Sequence, residues 1–252
     1  MRLDDICIVN TDVTASDDFY RESLGLERRM RNVRFADFVF TEGPRLAMWQ
    51  RASIAETVGA SFPTEPGLPF RVTLELADAA AVEAVASRVG SAVRIQGVAP
   101  RYAVTDPDGF VTVIAESSAH RPRIAEIELT VRDPARTFDF LERLGFAPVE
   151  AAGRMRFDGG GVALTILDAA AVPSEGSAQS DLASFTRNGA HLMLAVELDS
   201  GERVDEVYAE LKQRGLADSG PPALYEWGAR SAYFVDPDGY IWEIYAFVED
   251  PD

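Results

Sequence analysis

The sequence predicts an α+β fold built from four βαβββ modules in two pairs, and three observations carry that reading. The frame Asp12-Val13-Thr14-Ala15-Ser16-Asp17-Asp18-Phe19-Tyr20-Arg21-Glu22-Ser23-Leu24-Gly25 returns as Asp133-Pro134-Ala135-Arg136-Thr137-Phe138-Asp139-Phe140-Leu141-Glu142-Arg143-Leu144-Gly145. The segment Thr105-Asp106-Pro107-Asp108-Gly109-Phe110 returns as Val235-Asp236-Pro237-Asp238-Gly239-Tyr240. Alternating, strand-like runs precede both copies of the first frame, at Ile6 to Val9 and Ile127 to Val131. Self-similarity at a period of about 120 residues marks two units. The first spans 1–118 and the second 124–252, with a linker at 119–123.

Each unit then divides in two. Asp12 and Asp133 stand where a strand gives way to a helix, and a side-chain oxygen at that position satisfies backbone N–H groups of the first turn. Gly25 and Gly145 suit the left-handed position that ends a helix. A further alternating strand opens the second half of each unit, Arg71 to Leu76 and His191 to Val196. A second helix follows at Ala79 to Val89 and at Glu202 to Arg214. After it come strands such as Ser231 to Val235, a turn at Asp-Pro-Asp-Gly and a last strand, Tyr240 to Phe247. Proline presets one dihedral of that turn and glycine accepts a positive one.

Composition bounds what such a chain can do. Of 252 residues, 47% are hydrophobic and 26% charged, as expected of a folded globular protein rather than a disordered one. No run of about 18 apolar residues is present to cross a bilayer. The start, Met1-Arg2-Leu3-Asp4-Asp5, lacks the pattern of a signal peptide. The single cysteine, Cys7, excludes an intramolecular disulfide and fits a reducing, cytoplasmic setting. Cys7 is expected as a small core residue and His120 as a solvated residue of the linker. The net charge of −17 and the absence of a basic stripe argue against nucleic acid as a partner and favour cations, whether metal ions or basic small molecules.

These repeated frames resemble the vicinal oxygen chelate superfamily, which includes glyoxalase I, extradiol dioxygenases and bleomycin-resistance proteins. The matching features are the strand followed by Asp12 to Gly25, with one extra residue, and Trp227-Gly228-Ala229-Arg230 leading into Asp236-Pro237-Asp238-Gly239-Tyr240-Ile241-Trp242-Glu243. The resemblance implies modules paired into two open, cup-shaped mixed β-sheet barrels with helices outside. It also implies a divalent metal, Mn, Fe, Co, Ni or Zn, held by residues of the first and last strands of the modules. Carried over by position, the second unit offers Glu126, His191 and Glu243 as metal ligands, with Glu126 or Glu243 as a catalytic base. The first unit offers Asp5, but Arg71 and Val113 stand at two ligand places, so it is expected to be metal-free.

Strand alternation extends the candidate set. Glu126, Glu128 and Thr130 share a face opposite Ile127, Leu129 and Val131. Glu243 shares its face with Ile241 and Tyr245, and a carboxylate between Trp242 and Ile244 is costly unless paired or coordinated. Glu128, Thr130, Tyr245 and Arg230 are therefore candidate substrate contacts. In the first unit Asp5, Arg71 and Glu75 form a second candidate cup, where an Asp5–Arg71 ion pair would replace the metal. Pairing of module one with four, instead of one with two, would place Asp5, His191 and Glu243 in one cup and set Glu126 facing Arg71. Two functions follow from the resemblance. One is a metal-dependent lyase, isomerase or dioxygenase acting on a small oxygenated substrate. The other is a non-catalytic protein that sequesters a cationic drug. No membrane partner is expected, and the protein is expected as a monomer or homodimer.

Overall fold

The computed structural model describes residues 1–151, 153–172, 182–187 and 189–248. Module one runs through β1 (Leu3–Asn10), α1 (Val13–Asp18), β2 (Arg28–Arg31), β3 (Phe35–Phe38) and β4 (Arg45–Gln50). A connecting helix, α2 (Arg51–Val58), leads to module two: β5 (Phe70–Leu76), α3 (Ala79–Val89), β6 (Val93–Arg94), β7 (Arg101–Thr105) and β8 (Val111–Glu116). Module three is β9 (Arg123–Val131), α4 (Pro134–Leu144), β10 (Ala147–Ala151), β11 (Arg154–Asp158) and β12 (Ala163–Asp168). Module four is β13 (Leu192–Glu197), α5 (Gly201–Gln213), β14 (Ala217–Asp218), β15 (Ala223–Leu224), β16 (Ala229–Val235) and β17 (Ile241–Phe247).

The helices begin where the sequence places caps. Asp12, Asp78 and Asp133 accept from the backbone N–H groups of Ala15, Ala81 and Arg136 at 3.1, 2.8 and 3.1 Å, and the Ser200 hydroxyl accepts from Arg203 at 3.2 Å. α4 ends on Gly145 at φ 101°. The first helix differs from its repeat. After α1 the chain widens into a π-helical turn, Phe19–Ser23, with Leu24 N–H donating to the Phe19 carbonyl at 3.3 Å. The one extra residue in that frame is thereby absorbed without rotating the helix out of its packing. At both Asp-Pro-Asp-Gly turns the first carboxylate accepts two backbone N–H groups, Asp106 from Asp108 and Phe110 and Asp236 from Asp238 and Tyr240.

Two mixed sheets result. The first orders its strands β14-β16-β17-β13-β1-β4-β3-β2, with β15 on β16, and the second orders them β10-β11-β12-β9-β5-β8-β7-β6. At the centre of the first, β1 pairs antiparallel with β13; at the centre of the second, β5 pairs antiparallel with β9. Module one therefore joins module four, and module two joins module three. Each sequence unit contributes one module to each sheet. Leu3, Ile6, Ile8, Ile127, Leu129, Leu192, Leu194 and Trp242 belong to one continuous apolar core under the helices. The opposite, concave faces carry the candidate residues. Cys7 is buried on the concave face of the first sheet, and His120 lies exposed in the linker. No helix among the described residues is long and apolar enough to cross a membrane.

Candidate functional site

Strand register builds a transverse row across the first concave face: Arg45, Asp5, Ala195, Glu243 and Tyr233. Arg45 sits between carboxylates, donating to Asp5 at 2.7 Å, to Asp37 at 3.0 Å and to Asp4. Burial pushes the Asp5 carboxyl up to about 8, against the pull of Arg45 and with the added push of Asp4, Glu243 and Asp37. Tyr233 Oη donates to Glu243 at 2.8 Å, and Tyr245 Oη bonds Asp4. Burial raises Glu243 to about 7, although the hydrogen bond from Tyr233 and the charge of Arg45 lower it.

His191 stands just before β13, level with Val9, whose N–H donates to the His191 carbonyl at 3.2 Å. Its ring packs edge-on against Phe62, with centroids 5.6 Å apart. Both ring nitrogens are buried and meet no partner among the described residues. Burial, with Arg51 nearby, lowers its pKa to about 4, so the imidazole is neutral.

The chain itself fills the middle of this cup. Directly after β4, α2 turns back over the concave face and buries Ile54 and Val58 against Cys7, Ala47, Met193 and Ile241. Those two residues are one helical turn apart and share a face. At the outer rim a cavity of about 360 Å³ is lined by Trp49, Tyr225, Trp227, Glu56, Glu226 and Arg34, among others. Tyr225 and Trp227 stack at 4.6 Å, and Trp49 meets Trp227 edge-on at 6.3 Å. A tight turn closed by the Gly228 N–H on the Tyr225 carbonyl at 3.0 Å presents the pair. Trp49 is oriented by its indole N–H, which donates to Ser53 at 3.0 Å. The sequence offers Trp49 as a candidate lining of the first cup, but neither α2 nor the stack of Tyr225 on Trp227. Ile54 and Val58 four apart and ahead of Gly59 were the available signal for the helix.

The second cup is lined differently. Another transverse row runs Arg71, Glu128, Thr165, Arg156. Arg71 binds Glu128 and donates to Ser184 at 2.9 Å, while its guanidinium lies 4.5 Å from the Phe185 ring centre. Thr165 Oγ1 donates to Glu126 at 2.7 Å. Arg154 and Arg156 approach Glu128 and Glu126 at 3.6 and 3.9 Å. Glu75 accepts from Arg123 at 2.8 Å.

Several expected groupings are therefore corrected. Glu126 lies in the second sheet, whereas Glu243 lies in the first and His191 beside it, so these three do not meet. Asp5 and Arg71 also belong to different sheets; Asp5 pairs with Arg45, and Arg71 with Glu128. Both separations follow from the crossed pairing of modules. Thr130 is buried, its hydroxyl spent on the Pro69 carbonyl and its own carbonyl on Tyr240. Arg230 points away from the cup and binds Asp205 on α5 at 2.7 Å. Tyr245 and Glu128 do face their concavities, in different cups. Among the described residues no three His, Cys, Asp or Glu side chains converge to hold a metal ion. Asp5 is engaged by Arg45, Glu243 by Tyr233, and Arg45 fills the space between carboxylates. The described residues do not fit a resident divalent ion.

The sequence profile of the Glyoxalase/Bleomycin resistance protein/Dioxygenase superfamily matches residues 123–244. A glyoxalase/bleomycin resistance protein/dioxygenase from Nocardioides is 30% identical over 52% of this chain and 87% of its own, with a TM-score of 0.41. The chain belongs to the glyoxalase/bleomycin resistance protein/dioxygenase superfamily. The superfamily fold extends over both halves: glyoxalase I from Zea mays superposes on 97% of this chain and 92% of its own, with a TM-score of 0.64 and 16% identity. No curated protein sequence matches the chain.

Proposed function

We propose that this member of the superfamily binds a planar, cationic small molecule at the rim of the first cup and sequesters it without metal-dependent chemistry. The aromatic wall of Trp49, Tyr225 and Trp227 beside Glu56 and Glu226 is the observation that carries the reading. Aromatic faces attract both stacked rings and cations, and carboxylates at the edge supply the counter-charge. The net charge of −17 adds a long-range field that draws such a ligand in. Metal-dependent lyase, isomerase or dioxygenase chemistry is the weaker reading, because Glu126 lies in the other cup and Asp5 and Glu243, which share the first cup with His191, are engaged by Arg45 and Tyr233.

Trp227 is partly exposed, so its removal leaves the core intact. Titration with proflavine is expected to quench tryptophan fluorescence saturably. Trp227→Ala should weaken binding at least tenfold, which is about 1.4 kcal/mol. An anionic planar dye of similar size should bind far less. If a panel of planar cations at about a hundred times a micromolar dissociation constant leaves both quenching and Tm unchanged, where a shift worth roughly 2.7 kcal/mol is due, the proposal fails.

A further inference from the structure

The second cup reverses the sign of the rest of the molecule. Arg71, Arg101, Arg154 and Arg156 converge on its concave face, and Glu126 and Glu128 are the carboxylates set among them. The register accounts for the convergence. Arg71, Glu128, Thr165 and Arg156 form one row, and Arg101 lies two residues before Ala103 on the same face of β7. Thr73, Val113, Ala103 and Ala163 make the floor between them, and Arg101 crosses it to donate to Thr73 Oγ1 at 3.3 Å. Such short side chains leave the middle of the cup to the guanidinium groups.

Among the described residues the guanidinium surplus here is not neutralised. The second oxygen of Glu128 receives only a loose approach from Arg154 at 3.6 Å, and Glu126 is bonded by Thr165 with Arg156 at 3.9 Å. Arg101 Nε is buried and has no acceptor among the described residues. Burial and the charge of Arg71 lower the Arg101 pKa, and Glu128 and Glu126 offset this only in part. Arg154 and Arg156 are partly exposed at the rim, so the cluster is open to solvent from that side.

We propose that the second cup is an oxyanion site that takes a small dianion, a phosphate monoester or a dicarboxylate, between Arg101, Arg71 and Arg156. Guanidinium forks match both oxyanions bidentately. The ligand would supply the acceptor that Arg101 Nε lacks, with Thr73 and Thr165 as neutral hydroxyls beside it. This site is independent of the aromatic rim of the first cup, and either can exist without the other.

Isothermal titration of the full chain at low ionic strength, with inorganic phosphate and with succinate, tests the assignment. Saturable binding by either is expected: phosphate alone points to a phosphate monoester, succinate alone to a dicarboxylate, and both to oxyanions in general. Arg101→Met should weaken binding tenfold or more, and Glu126→Gln, which removes a competing carboxylate, should tighten it severalfold. Arg156→Met, at a partly exposed position, replaces Arg101→Met if that variant does not fold. Kosmotropic anions also raise Tm without binding a site, so the comparison of variants by heat, not by Tm, decides. Absence of saturable heat with both anions, or equal affinity in the folded arginine variants, overturns the proposal.

Discussion

Arg45 does with one guanidinium what a divalent ion does in a carboxylate-lined cup: it cross-links oxygens that would otherwise repel. Its partners Asp4 and Asp5 are largely buried and Asp37 completely so, and among the described residues only Asp37 has a second cation, Arg29. Arg45→Met is expected to cost about 3–5 kcal/mol at pH 7.5, the usual effect of stranding buried charge. The cost should shrink as pH falls. The Asp5 pKa in the fold, about 8, exceeds the ordinary aspartate value of 3.8, so the folded state binds the extra proton between those values. Stability from the protonated form is present at low pH and is lost as pH rises through the folded value. Without Arg45 that folded value climbs further and the loss steepens. Urea denaturation of both proteins at pH 5 and 7.5 measures it; a variant within about 0.5 kcal/mol of wild type at both pH values would remove the cross-linking role. The sequence held the acidic half of this cluster, since Asp5 was placed at a ligand position. It did not disclose Arg45, because an arginine at the start of a strand reads as an ordinary rim charge until the neighbouring strands are known.

At the scale of elements, α2 decides what the first cup can admit. Ile54 and Val58 are fully buried on the concave face of the first cup, and they press any binding outward to the aromatic rim. Ile54→Ala removes three methyl or methylene groups from a packed site and is expected to lower stability by about 2–4 kcal/mol, read from chemical denaturation. A loss below about 1 kcal/mol would mean that α2 lifts away readily and that the cup is not plugged. Elements with strong local signals were legible without the structure: α3 spans the expected Ala79–Val89, and α5 begins one residue early, at Gly201. Their capping residues and alternating strands act within a few residues of sequence. The π-helical turn and α2 were not legible, because each answers to a neighbour: one to packing of the widened helix, the other to an apolar concavity made by strands far away in sequence.

The crossed pairing of modules is a property of the whole molecule and governs which residues share a site. Alternation along β1, β5, β9 and β13 fixes which face each side chain takes, but not which strand lies alongside; the same faces serve either pairing. Hence Glu126, Glu128 and Arg71 were recognisable as concave, as were Asp5 and Glu243, while their grouping was open. Both central joins, β1 with β13 and β5 with β9, connect the two sequence units. The amino terminus reinforces them, with the Met1 amino group on the Gly145 carbonyl at 2.7 Å and Leu3 N–H on Gly159 at 2.9 Å. A fragment of residues 1–118 would expose the apolar central edges of two half-sheets, and so would 124–252, because each holds half of each cup. Neither fragment alone is expected to show a cooperative thermal transition as a monomer. Mixed or co-expressed, they should assemble one to one and recover the transition of the intact chain. A monomeric fragment that unfolds cooperatively would show that modules one and two, or three and four, can close a cup by themselves. β1 must find β13 across most of the chain and β5 must find β9 across the linker, so neither half contains the contacts that complete a cup.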